Sequence, residues 1–137
     1  MDGHDNMCTR FEGLLWHDSK LVGVNISRNE ALQTDEITLI LSMWQSNDKS
    51  LSPAKVVLKE CMFVRIDMDL DGKRLCADDI STGQCVRRSE WMQMFEKEAP
   101  YNEVLAEFSH FRVLLIPPGG EINVIARDFE ILFEDGG

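Results

Sequence analysis

Apolar and polar residues alternate with a period of two along much of this chain. Val22, Val24 and Ile26 alternate with Gly23 and Asn25, and Ile37, Leu39, Leu41 and Met43 with Thr38, Ile40 and Ser42. Successive side chains of a strand point to opposite faces, so this pattern predicts strands over 21–26 and 36–43. The polar "RNEALQTDE" reads as their connection, and "QSNDKSLSP" (45–53) as a loop ending in proline. Residues 54–59 and 61–70 supply a third and a fourth strand. The strongest signal is "FSHFRVLLIPPGGEINVIARDFEILF" (108–133), two β-rich runs around "PPGG". Pro118 presets φ for the second position of a turn and Gly119 supplies the positive φ of a type II turn, which predicts a hairpin. Phe129, Ile131 and Phe133 form the last strand.

Only "SEWMQMFEKEAP" (89–100) has helical signals. Ser89 is an N-cap, Glu90 lies in the first turn, Trp91 and Phe95 share a face, and Pro100 ends the run. "NEVLAEF" (102–108) reads as a loop entering the hairpin. Residues 1–10 read as a mobile start, and 11–20 as a helical turn or loop. The expectation is one domain over 1–137, mainly β (α+β). It is an antiparallel β-sandwich or partly open barrel of about seven strands, with one short helix across a sheet.

At 137 residues the chain can bury a real core. Its net charge of −10 repels phosphate backbones, and its basic residues come as scattered pairs, Lys73–Arg74 and Arg87–Arg88. Nucleic acid is therefore excluded as a partner, and a basic protein fits. No apolar run is long enough to span a bilayer, so no membrane association is expected. "MDGHDNMCTRFEG" lacks a signal-peptide pattern, so the expected address is cytoplasmic. Cys8, Cys61, Cys76 and Cys85 include no C-x-x-C and no histidine at zinc spacing. They are expected to be reduced, small and buried.

"DMDLDG" (67–72) carries the one motif with a metal-binding form. Asp67, Asp69 and Asp71 match positions 1, 3 and 5 of an EF-hand loop, and Gly72 matches position 6. Position 12 is Asp78 where the pattern wants glutamate, and Lys73 and Arg74 bring positive charge against a cation. An EF-hand also needs helical flanks, whereas Val64, Ile66, Met68 and Leu70 alternate upstream as a strand does. Strand spacing alone produces D-x-D, and Asp71-Gly72 is then a hairpin-turn signal. A calcium loop of Asp67, Asp69, Asp71 and Asp78 on another scaffold stands as the alternative.

In "WHDS" (16–19), His17–Asp18 could serve a metal or a general base. Both uses need further partners, and Asp18 or Ser19 turning the chain before the first strand is the simpler reading. His4, His17 and His110 share no metal-ligand spacing. The Ser, His and Asp of a hydrolase occur without a nucleophile elbow, and Gly119-Gly120 precedes a strand, so it is no phosphate loop. Trp16, Trp44 and Trp91 read as core or interface anchors. No catalytic residue and no cofactor is expected.

"LLWHDSKLVGVNISRN…DEITLIL" followed by "FSHFRVLLIPPGGEINVIARDFEI" resembles small acidic β-rich bacterial domains of the toxin-immunity and mobile gene cassette type. The resemblance is one of pattern over about half the chain. It implies a binding role and transfers no catalytic motif.

The expectation is thus a non-enzymatic protein-binding module that takes a basic partner through an acidic surface. The contributing clusters are Asp67/Asp69/Asp71, Asp78/Asp79 and Glu134/Asp135. The alternative is a small-ligand or metal-binding β-barrel protein using the sheet interior or the Asp67–Asp78 loop. A homodimer is expected as well. Val113 to Ile116 is apolar at consecutive positions, and Trp91, Met92, Met94 and Phe95 ring a short helix, which leaves more apolar surface than one monomer's core absorbs.

Overall fold

The computed structural model describes residues 3–31, 34–44, 50–68, 79–98, 101–116 and 119–134. Their strands form two antiparallel sheets of four. One holds β1 (Lys20–Asn29), β2 (Thr34–Trp44), β3 (Leu51–Lys59) and β8 (Asp128–Phe133), in the order β1-β2-β3-β8. The other holds β4 (Phe63–Met68), β5 (Ile80–Val86), β6 (Ser109–Leu115) and β7 (Gly120–Ala126), in the order β4-β7-β6-β5. The result is an α+β sandwich and not a closed barrel. The chain passes between sheets twice, from β3 to β4 and from β7 to β8. Glu60, at φ 52, bends the first of these corners.

The period-two pattern finds its reason in the core. Ile37, Leu39, Leu41 and Met43 of β2 and Ala54, Val56 and Leu58 of β3 are buried on one face. They meet Phe111, Val113, Leu115, Ile122 and Val124 of the second sheet. Between the sheets Phe11 packs against Trp16, Phe111 and Phe129, with ring centroids 4.9, 4.9 and 5.2 Å apart.

Three helices were not equally foreseeable. α2 (Glu90–Glu96) is the expected helix. The Ser89 hydroxyl accepts the Met92 N–H as its cap, and α2 ends one residue before Lys97. It lies on the outer face of the second sheet, where Phe63, Ile125 and His110 stand in one cross-strand row. Phe95 stacks on Phe63 at 3.8 Å, and Trp91 approaches His110 at 5.1 Å. The expected loop at 102–108 is instead α3 (Tyr101–Val104) and a 3-10 turn (Leu105–Glu107). Buried Leu105 and Phe108 anchor this segment in the same apolar layer.

The expected mobile start is also corrected. α1 (Gly3–Glu12) packs along β5 and reaches β8, with Met7, Cys8 and Phe11 buried. The Glu12 carboxylate accepts the backbone N–H of Cys85 at 3.0 Å, which satisfies a donor on edge strand β5. Cys8 and Cys85 form a disulfide, so the expectation of four reduced cysteines does not hold. Pairing across 77 residues follows from α1 lying against β5 and not from any local spacing.

Four smaller differences have local causes. A register shift between Leu21 and Gly23 bulges Val22 outward, so Leu21, Val24 and Ile26 share the inner face. β3 begins at Leu51, inside the expected loop, and Pro53 pairs opposite Ser42. β5 was not foreseen. β4 pairs with β7 and not with β5, which lies at the opposite edge of the sheet, and the expected turn at Asp71-Gly72 lies outside the described residues. The β6–β7 hairpin is present and is closed by Gly119 N–H donating to the Ile116 carbonyl. Its positive φ belongs to Gly120 (106°) and not to Gly119. Pro117 and Pro118 lie outside the described residues.

Candidate functional site

Of the seven carboxylates expected to meet a partner, Asp67, Asp79 and Glu134 are among the described residues. Asp69, Asp71, Asp78 and Asp135 lie outside them, as does most of the proposed calcium loop. Asp67 is exposed on the outer face of β4, beside Glu121 of β7. Asp79 is half withdrawn at the corner where the sheets meet and forms an ion pair with Lys20 at 2.6 Å. Glu134 is exposed at the end of β8, next to exposed Leu132 and Phe133. These three occupy different parts of the surface. Among the described residues no three His, Cys, Asp or Glu side chains gather as a metal site.

His17, Asp18 and Ser19 shape a turn. Asp18 sits at φ 66, and its N–H donates to the Ile80 carbonyl at 2.9 Å. Ser19 is fully buried. Its hydroxyl donates to the Leu15 carbonyl at 2.6 Å and accepts the Trp44 N–H at 3.3 Å. His17 lies on the surface with Nδ1 3.3 Å from the Ser81 carbonyl. This is the turn reading of the motif, with β1 and β5 joined through it.

The second sheet carries a polar chain that the sequence did not announce. His110 Nε2 is 2.7 Å from Asn123 Oδ1, and His110 Nδ1 is 2.8 Å from the Ser89 hydroxyl. Asn123 Oδ1 can only accept, so Nε2 carries the proton and a neutral ring accepts from Ser89 through Nδ1. Burial holds the His110 pKa below its ordinary value, against the opposing pull of the Asn123 bond. Beyond Asn123, Arg112 holds the Glu121 carboxylate at 2.6 Å and lowers its pKa. A hydroxyl bonded to a neutral imidazole has the form of an activated nucleophile. Here the same oxygen caps α2. The nearby cavity of about 460 Å³ is lined by Arg87, Arg88, Glu96, Leu105 and Ala106, not by Ser89 or His110. The chain therefore fastens α2 to the sheet. Its signal in the sequence is His110, Arg112, Glu121 and Asn123 at polar positions inside otherwise apolar strands.

Cys61 is the one free thiol among the described residues. Burial pushes its pKa up to about 12, so it stays protonated at neutral pH and donates to the Leu58 carbonyl. Among the described residues no helix is long and apolar enough to cross a membrane. No protein-family model, curated protein or solved structure matches this chain.

Proposed function

We propose that this chain is a non-enzymatic protein-binding module that takes a basic partner through its acidic surface and acts as a homodimer. The observation that carries the reading is how its cations are used. Lys20, Arg28, Lys59, Arg88, Arg112 and Arg127 are held in ion pairs with Asp79, Asp35, Glu130, Glu96, Glu121 and Glu107. Six of the fourteen lysines and arginines are thus engaged locally, and the chain as a whole carries the negative field of a net charge of −10. Such a field speeds encounter with a basic surface, and apolar anchors then supply affinity. Glu134 flanked by Leu132 and Phe133 combines both features. The groups with catalytic potential are occupied structurally: His17–Ser19 in a turn, Ser89 and His110 in docking α2, and Cys61 as a half-buried, protonated thiol. The resemblance to toxin-immunity domains points the same way. A disulfide persists in oxidising surroundings, so the cytoplasmic address expected from the sequence is not carried into the proposal.

The test is affinity capture in parallel with the wild type, the Glu134→Lys variant and an unrelated protein of equal negative charge. The expected result is one strongly basic protein retained by the wild type alone. Recovery that is equal on all three would contradict the proposal.

A further inference from the structure

β4 is an edge strand, and among the described residues its one strand partner is β7. Its register sets Val64 opposite Val124, Ile66 opposite Ile122 and Met68 opposite Gly120. Val124 and Ile122 are 0% and 1% exposed, so this is the core-facing side. Val64 and Ile66 on the same side are each 40% exposed. The apolar row therefore continues to the sheet edge without being covered there.

Arg65 and Asp67 stand on the other face, two residues apart. Among the described residues neither is in an ion pair. Arg65 lies 5.7 Å from the Trp91 ring, and Asp67 faces Glu121, which Arg112 already holds. Val64–Met68 therefore reads apolar, positive, apolar, negative, apolar. That order is complementary to itself when reversed.

We propose that two copies of the chain pair antiparallel through β4, about a two-fold axis at Ile66. This rests on the homodimer proposed above and adds its edge and register. Ile66 then faces the partner's Ile66, and Val64 faces the partner's Met68, which covers the exposed inner row. Arg65 faces the partner's Asp67, and symmetry repeats that ion pair. The two four-stranded sheets become one continuous sheet.

The charges select this register against its neighbours. A slip that centres the axis on Arg65 brings two arginines together, and one that centres it on Asp67 brings two aspartates together. Like charges directly opposite one another destabilise strand pairs. A slip by one residue turns the apolar row to the wrong face. The other edges offer no such match: β1 contains Lys20 and Arg28 but no acidic residue, β8 contains Asp128 and Glu130 but no basic one, and β5 contains no charged residue. Charged residues on an edge strand ordinarily keep neighbours away. Here that repulsion acts only out of register.

Light scattering during size exclusion tests the pairing in the intact chain. The wild type is expected at twice 15.7 kDa. Arg65→Asp and Asp67→Arg, made separately, each turn two attractions into two repulsions and should weaken the dimer about tenfold or more. Circular dichroism should show both variants still folded. Mixing the two single variants restores both pairs and should return a dimer, as should the double variant Arg65→Asp/Asp67→Arg. A wild type that stays at 15.7 kDa at high concentration overturns the homodimer together with this interface. A wild-type dimer indifferent to both single variants keeps the homodimer and overturns β4 as its edge. Weakening without rescue in the mixture or the double variant overturns the register.

Discussion

Gly83 lies directly under the indole of Trp16, and a Cβ placed there would overlap that ring. Trp16 is 2% exposed, and its Nε1 donates to the Phe11 carbonyl at 2.7 Å, so the ring has no room to withdraw. Gly83→Ala is expected to lower stability by about 1–3 kcal/mol through overpacking. Urea unfolding should show an earlier midpoint with the same slope, and an unchanged midpoint would mean the ring gives way freely. His110 makes a second residue-level prediction. Its pKa in the folded chain lies below the ordinary 6.5, chiefly through burial. The unfolded chain takes up this proton near 6.5, and the folded chain only at lower pH. The site's stability is therefore complete above that value and is lost as pH falls from it toward the folded pKa. Glu121, whose carboxyl Arg112 holds below 4.5, loses its contribution only as pH falls through and below 4.5. The thermal midpoint should thus decline between 6.5 and 4.5, and His110→Gln should flatten that decline. An equal decline in the variant would assign it to other groups. The sequence suggested the turn at Asp18–Ser19 because short polar residues there precede a strand. It gave no sign that Ser89, His110 and Asn123 meet, since they come from three separate elements.

The elements differ in how legible they are. β2, β6 and β7 carry enough alternating or continuous apolar residues to be read directly. β5 (ISTGQCV) turns only Ile80, Gly83 and Cys85 into buried positions, and a register shift after Ile80 breaks its period. A strand with one glycine and two polar residues among its central positions leaves little periodicity to find. α1 is mostly polar, yet Met7, Cys8 and Phe11 stand at helical spacing and all three are buried. That signal was present and was outweighed by composition. Its partner, β5, was the strand that could not be read, and so the disulfide could not be read either. Alkylation of the denatured, unreduced chain is expected to leave Cys8 and Cys85 unmodified while Cys61 reacts. Reduction should cost about 2–5 kcal/mol, the usual range for a small domain. Free reaction of Cys8 without reductant would remove the covalent tie and leave α1 held by its buried side chains and the Glu12 hydrogen bond to Cys85.

For the whole molecule, alternation was enough to indicate a sandwich or a partly open barrel, because an antiparallel sheet with one buried face must find a second layer or curl on itself. Strand order was not legible. The β3–β4 and β7–β8 passages between sheets depend on corners such as Glu60, which no periodicity marks. The extra apolar residues on α2 found part of their cover in the outer layer with Phe63 and Ile125, and Val113 and Leu115 of β6 are buried in the core between the sheets. Met94 remains 66% exposed. The proposed partner surface is legible chiefly as charge. The sequence supplies the excess of carboxylates, and the fold adds that, among the described residues, six of the fourteen basic side chains are held in ion pairs. At physiological salt that field reaches about 8 Å, so it acts on encounter more than on the docked complex. The most direct measurement is therefore the association rate between this chain and its captured basic partner across a range of ionic strengths. The expected rate falls steeply as salt rises, while dissociation changes little. An association rate indifferent to salt would contradict it.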